Sequence, residues 1–492
     1  MSPDLAPGVF VKELPSGVRT ITGAGTSTPA FLGYSVTKPV AAPPVKVRSW
    51  NQYVEAYHFR TDLTEEQIAE ELFRLGPLAD DFAEADRALH EEAVPSKLSD
   101  VAYKAFADVK KRLGAGQKVT KEEKDAADAT AETLEGETYT AWEVAGKPWW
   151  PVADRSSELV KLSDYLPLSE KYALAEAVYG FFANGGTECY VVTLDPGKDL
   201  GAELTAATSL EKLKALSDVN MVAVPDLWTN NQDVATGGTN IDLVVAHCVK
   251  MRNRLAIVEP PDDANPSELG PFIQKLASPN TDDSAFTAVY YPWVRVPGVN
   301  AQERTVPPCG HMAGVWARTD AERGVFKAPA NQNVRGVLSI PTLLTNGQQG
   351  DLNEKGINCL RVFPDRGLLV WGARTRSSTR DWQYVNVRRL VCFLRDSIQQ
   401  SSSWAVFEPN DERLWGTLRH AVSTFLMDQW RQGALVGRTP EEAFYVVCDG
   451  SNNPRETQDK GEVHCDIGVA PVRPAEFVHF SIAQIAGQAG GT

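Results

Sequence analysis

Apolar and polar residues alternate almost at the start of the chain. Val9, Val11 and Glu13 fall on one side of an extended segment, Phe10, Lys12 and Leu14 on the other, and Pro15, Ser16 and Gly17 stop it. The same pattern returns at the far end, where Val478, Phe480 and Ile482 alternate with Phe477, His479 and Ser481. A strand at a chain end leaves its backbone groups unpaired unless something ties it down. Both termini therefore raise the question of a partner.

Between them the pattern predicts a buried strand within 24–37 and a strand followed by a short helix over 45–58. A helix over 172–186 ends at Asn184, Gly185 and Gly186, residues that accept a left-handed cap. Four near-continuous apolar runs follow, at 188–194, 219–227, 254–261 and 286–294, separated by helical stretches at 208–217, 240–252 and 266–277. Such alternation predicts a mostly parallel sheet covered on both faces. After Pro307 the texture shifts. Two strands flank the turn Pro364-Asp365-Arg366, two long helices are expected over 383–400 and 410–432, and strands close the chain at 464–472 and 476–485. The fold class is α/β and multi-domain.

One segment breaks this texture. From Asp62 to Glu137 there are 20 acidic and 10 basic residues. Leu63, Ile68, Leu72 and Leu75, then Val101, Phe106, Val109 and Leu113, form thin apolar stripes at helical spacing. The rest of that surface is a solvated, charged face. Across all 492 residues the formal net charge is −15, which argues against nucleic-acid binding, since phosphates require clustered Lys and Arg. No apolar run approaches the roughly 18 residues of a membrane-spanning helix, and the N-terminus does not read as a signal peptide. The seven cysteines are odd in number and lack a CxxC pair, as in a reduced cytosol.

An enzyme on this sheet would place its groups at the strand carboxyl ends, where Asp195, Asp226, Glu259 and Tyr291 lie, with His247 on an intervening helix. Asp195 and Asp226 also fit turn or helix-capping positions. No GxSxG, GxxxxGK[ST] or HExxH motif is present, and Gly23-Ala24-Gly25 lacks the third glycine of a dinucleotide fingerprint. Cys309 with His311, or His464 with Cys465, could ligate a metal, but neither has a second pair at ligand spacing. No cofactor or metal is expected.

Several stretches resemble one family, the tail sheath proteins of contractile phages and related injection systems. The opening PGVFVKELPSGVRTITGAGTSTPAFLG (7–33) is similar to its N-terminal pattern, and AVYGFFANGGTECYVV (177–192) to its helix-to-strand element. ARTDAERGVFKAPAN (317–331), GINCLRVFPDRGLLVWGARTRS (356–377), WQYVNVRRLVCFLRDSI (382–398) and FEPNDERLW (407–415) resemble its C-terminal run. The resemblance covers about 5–58 and 165–485, in order.

It implies a structural subunit that stacks in rings around an inner tube and contracts to drive that tube through a target envelope. It also implies that both terminal arms add strands to a sheet of neighbouring subunits, which answers the opening question. The implied division is an N-terminal arm (1–22), an α/β middle domain (23–59 and 164–306) and a helical acidic insertion on the outer surface (60–163). A C-terminal sheath domain facing the tube (307–475) and a C-terminal arm (476–492) complete it. Arm strands would carry Val9, Phe10, Val11, Leu14, Phe477, Val478, Phe480 and Ile482. On the helix near 411–432, Leu414, Leu418, Ala421 and Phe425 share one side, and Arg413, His420 and Arg431 share another, the expected tube contact. Partners would be further copies, an inner tube protein, and baseplate and cap components, with no nucleic acid and no membrane insertion. Assembly would be cytoplasmic, in a phage tail or tail-like particle. The alternatives are an α/β enzyme and a soluble adaptor docking through its acidic segment.

Overall fold

The computed structural model describes residues 20–35, 44–57, 172–229, 233–262, 264–276, 282–297 and 303–477. The strand expected around residues 9–14, the acidic insertion, and Val478, Phe480 and Ile482 lie outside the described residues. The chain divides into two compact units. One comprises 27–321 and 329–383, the other 1–26, 322–328 and 384–492.

The larger unit runs β1 (Pro29–Tyr34), β2 (Val45–Val47), α1 (Trp50–Tyr57), α2 (Leu174–Ala183), β3 (Cys189–Leu194), α3 (Leu200–Thr205), α4 (Leu210–Leu213), β4 (Met221–Ala223), α5 (Val234–Met251), β5 (Leu255–Val258) and α6 (Leu269–Lys275). It continues with β6 (Thr287–Tyr291), β7 (Val294–Pro297), β8 (Glu303–Val306), α7 (Cys309–Arg323), β9 (Gln332–Asn333), α8 (Asn346–Glu354), β10 (Ile357–Phe363) and β11 (Gly367–Trp371). Nine strands form one sheet in the order β2-β3-β1-β4-β5-β6-β10-β11-β9. Five of its pairings are parallel and three antiparallel. β1, β4, β5 and β6 are buried along their whole length, as strands covered on both faces are.

Helix α2 ends as its sequence predicts. Gly185 takes φ +101°, and the Gly185 and Gly186 amides donate to the carbonyls of Phe182 and Phe181, satisfying the last turn. Helix α7 is a departure, because it had no counterpart in the sequence reading. A side chain on Gly310 would collide with the Ala177 carbonyl of α2, and one on Gly314 with the Phe181 carbonyl. Spaced four apart, the two glycines share one face and let the helix backbones approach closely.

Three expectations are corrected. The run 219–227 is strand only over β4, and 286–294 breaks after Tyr291 before β7 begins. The helix expected at 240–252 starts earlier, at Val234, where the Asp233 carboxylate accepts from the Ala235 and Thr236 amides. The sheet continues past residue 307, where β10 pairs parallel with β6 and carries it on to β11 and β9. Residues 23–26 group with the smaller unit.

That smaller unit holds α9 (Val385–Ser401), α10 (Glu412–Arg431), α11 (Pro440–Ala443), β12 (Phe444–Val447), α12 (Arg455–Asp459) and β13 (Asp466–Val469). β12 and β13 form a separate antiparallel pair. Its core joins Leu390 and Leu394 of α9 to Val422, Phe425 and Leu426 of α10, with Val325 and Leu435. A second cluster joins Leu414, Trp415 and Leu418 to Cys448.

Candidate assembly surfaces

In the larger unit, consecutive strands β3 and β4 lie on opposite sides of β1. The carboxyl end of β1 is thus the crevice where a doubly wound sheet takes ligands. Here the chain's own groups occupy it. Asp226 is fully buried, and its oxygens accept from the amides of Tyr34 (2.9 Å) and Ala173 (2.5 Å) and from the Thr229 hydroxyl (3.3 Å). Burial pushes this carboxyl up to about 7, against the pull of those donors.

The other candidate groups are occupied locally. Asp195 accepts from the Gly197 amide and pairs with Lys198. The Tyr291 hydroxyl donates to the Ala264 carbonyl. His247, lowered to about 4 by burial and by Arg254, stands 3.3 Å from that guanidinium. Glu259 is buried beside the Cys309 thiol, and burial raises its carboxyl well above the usual range. None of these five groups is hydrogen-bonded to another. Cys309 and His311 are both buried in α7, with His311 lowered to about 4 by burial. Among the described residues no three His, Cys, Asp or Glu side chains are grouped to hold a metal.

The smaller unit gathers a different set of features around α9. The Thr22 amide donates to Ser401 Oγ (3.1 Å) and the Ala24 amide to Ser397 Oγ (2.9 Å), while Arg389 Nη2 donates to the Thr26 carbonyl (2.9 Å). Ile21 packs on the core. At the other end of α9, Asn386 Nδ2 donates to the Val472 carbonyl (3.1 Å), and the Tyr384 hydroxyl to Glu476 (3.2 Å). Both terminal segments are thus rooted on one helix. Phe477, the last described residue, is 68% exposed and is not in a strand.

The pair β12–β13 lies in the same unit. Its register runs from Phe444 opposite Val469 to Val447 opposite Asp466. The Ala470 amide donates to the Ala443 carbonyl, so bonded pairs fall at alternate positions, and Val446 and Ile467 turn their backbone groups outward. Among the described residues neither strand has a second strand partner. Such edges accept added strands.

Helix α10 presents the third surface. Leu414, Leu418, Ala421 and Phe425 are buried, as their spacing predicts. Arg413, His420 and Arg431 are exposed, and they lie within about 20° of one another around the axis at 100° per residue. Arg431 stands 3.5 Å from Asp428. The Asp411 carboxylate caps the helix by accepting from the Arg413 and Leu414 amides.

Known proteins match this arrangement. The family model for the phage tail sheath protein central domain matches residues 202–376, and that for the phage tail sheath C-terminal domain matches 377–485. Together they cover more than half of the 492 residues. The chain belongs to the tail sheath protein family.

Among its relatives, the tail sheath protein of Vibrio phage KVP40 is 28% identical over 183 residues, 36% of this chain and 26% of that protein. The tail sheath protein of Burkholderia phage BcepMu is 31% identical over 184 residues, 35% of this chain and 37% of the relative. The chain thus spans well under two thirds of these curated relatives. Over nearly the full length, it is similar to a chain of the anti-feeding prophage baseplate structure (25% identity, TM-score 0.59, 98% of this chain and 99% of the other). It shares the fold of a chain in the contracted sheath complex of the extracellular contractile injection system PVC (22% identity, TM-score 0.62, 98% and 99% coverage).

Within this sheath protein, the structure brings both described terminal segments to α9 and exposes the three α10 residues on one face. The arm residues themselves, apart from Phe477, lie outside the described part. The sequence reading missed β12. Its signal was present as Phe444-Tyr445-Val446-Val447, a short aromatic and β-branched run directly after the helix start at Pro440.

Proposed function

We propose that this sheath protein polymerises in stacked rings around an inner tube and contracts to drive the tube through a target envelope, as a structural subunit without catalytic turnover. The observation that carries the reading is the two-stranded sheet β12–β13, to which no third strand is paired among the described residues, in the unit that also roots both terminal segments. Arms from neighbouring subunits would add strands along Val446 and Ile467 by β-augmentation. The particle would be a phage tail or tail-like machine assembled in the cytoplasm, with inner tube, baseplate and cap proteins as partners. The test is electron microscopy of the concentrated protein. Sheath-like tubes are expected, and a monodisperse monomer at every concentration would favour the adaptor reading.

The exposed face of α10 is the proposed tube contact. Arg413 and Arg431 are spaced about 27 Å apart along the helix, suited to an acidic surface repeating along a tube. The double variant Arg413→Glu, Arg431→Glu is expected to weaken sheath–tube co-sedimentation at least tenfold at low salt without changing the melting temperature. Unchanged co-sedimentation would remove α10 from the interface.

The acidic insertion (60–163) is proposed to lie on the outer wall, where neighbours leave room for an extra segment. Its excess of 20 acids over 10 bases between 62 and 137 would discourage lateral aggregation over a range of about 8 Å at physiological salt. Replacing 62–160 by a short Gly/Ser linker is expected to leave tube formation and contraction intact. Loss of ring stacking would make the segment a lattice contact instead.

A further inference from the structure

Six of the seven cysteines are buried, five of them at scattered positions, and the register of β12 and β13 runs toward the sixth, Cys448, and the seventh, Cys465. Val447 faces Asp466 at the end of both strands, and continuing that register by one step sets Cys448 opposite Cys465. Because bonded and non-bonded pairs alternate, this is a non-hydrogen-bonded position, where facing Cα atoms approach to about 4.5 Å. A disulfide accepts Cα separations of about 4.4–6.8 Å. The two thiols are near enough to influence one another, Cys448 raising the Cys465 thiol.

The surrounding chain holds that spacing. Asn453 is fully buried, its Nδ2 donates to the carbonyls of Asp449 (3.1 Å) and His464 (2.9 Å), and its Oδ1 accepts from the His464 amide (2.6 Å). These are the residues directly after Cys448 and directly before Cys465. Asn452 adds a second tie, donating to the Val447 carbonyl (2.8 Å) and to the Asp466 carboxylate (2.9 Å). Cys448 is buried against Trp415 and Leu418, whereas Cys465 is half-buried and reachable.

We propose that Cys448 and Cys465 form a cross-strand disulfide by exchange with a small disulfide oxidant such as oxidised glutathione. The Cys465 thiolate attacks one glutathione sulfur and expels the first glutathione thiolate, leaving a mixed disulfide on Cys465. The Cys448 thiolate then attacks Cys465 Sγ and expels the second glutathione. Two cysteine thiols are oxidised, one glutathione disulfide is reduced to two thiols, and the two protons pass to the departing thiolates. Burial and the neighbouring Cys448 push the Cys465 thiol up to about 12, so thiolate is scarce at neutral pH and exchange is slow. The bond is therefore acquired by a particle that stays in an oxidising medium, and is not a rapid sensor. The chemistry is independent of the assembly reading. Only its consequence, a staple across the strands proposed to receive neighbouring arms, rests on that reading.

The test uses the folded full chain, incubated overnight with oxidised glutathione at about pH 8.5, then denatured and alkylated. Five of the seven cysteines are expected to be alkylated, with a Cys448–Cys465 linked peptide that separates on reduction. The rate should rise close to tenfold per pH unit between about pH 7 and 9. Cys448→Ser should stop at a glutathione adduct on Cys465. Seven alkylated cysteines, a bond between other cysteines, or a lasting adduct on Cys465 in the unaltered protein would overturn the proposal.

Discussion

Protein lacking residues 1–20 is expected to fold, remain monomeric and form no tubes. The cut leaves the N-terminal root intact: Ile21 stays on the core, and the Thr22 and Ala24 amides keep their bonds to Ser401 and Ser397. What is lost is the segment from Val9 to Leu14, which has a strand's alternation and no use inside its own subunit under the assembly reading. Each backbone link in an added strand contributes about 0.5–1.5 kcal/mol net. An arm would therefore hold by a few kcal/mol, and a lattice so linked would persist because many arms act at once. Val11→Pro should act in the same direction by removing one ladder donor. Circular dichroism and sedimentation report folding and mass, and negative-stain images report tubes. Normal tubes from the truncated protein would sink the arm mechanism.

Asp226→Ala is expected to destabilise the larger unit by about 2–4 kcal/mol, because the buried amides of Tyr34 and Ala173 lose their acceptor. The pH dependence carries a definite sign. Burial raises the Asp226 carboxyl from 3.8 to about 7, so the folded state holds this proton more tightly than the unfolded chain does. Its contribution to stability is fully present below about pH 4 and is lost as pH rises through about 7. The gap between the parent protein and the alanine variant should therefore narrow from pH 5 to pH 8. Urea unfolding at the two pH values measures it. A gap that widens with pH would mean the carboxylate is stabilised by its three donors more than burial penalises it.

Much of the larger unit was legible because its strands are buried on both faces and read as continuous apolar runs. β1, β3, β5 and β6 are of this kind, and the β10–β11 hairpin was legible through the turn between its apolar runs. The capped end of α2 was legible through Gly185. Helix α7 was not, for a physical reason: Cys309 through Thr319 are all buried, so no polar face marks the period. Helix α5 was truncated in the reading because Gly237 and Gly238 look like a break. At Gly237 the glycine instead makes room for the Trp228 ring. In the smaller unit the stripe of α10 was plain, whereas β12 and the facing of Cys448 and Cys465 exist only through pairing with β13. A scattered cysteine count could not show that pairing.

The anchoring of both termini on α9 has a mechanical consequence. Thr22 and Ala24 hold the end of that helix at Ser397 and Ser401, while Val472 is held near its start by Asn386. The helix has 17 residues and spans about 25 Å. Under the assembly reading, tension entering a subunit through one arm would leave through the other by way of this single helix. In a lattice linked this way, pulling force would run from subunit to subunit along a chain of helices. Stiffness along that line would depend on how firmly two serines and one asparagine grip the ends.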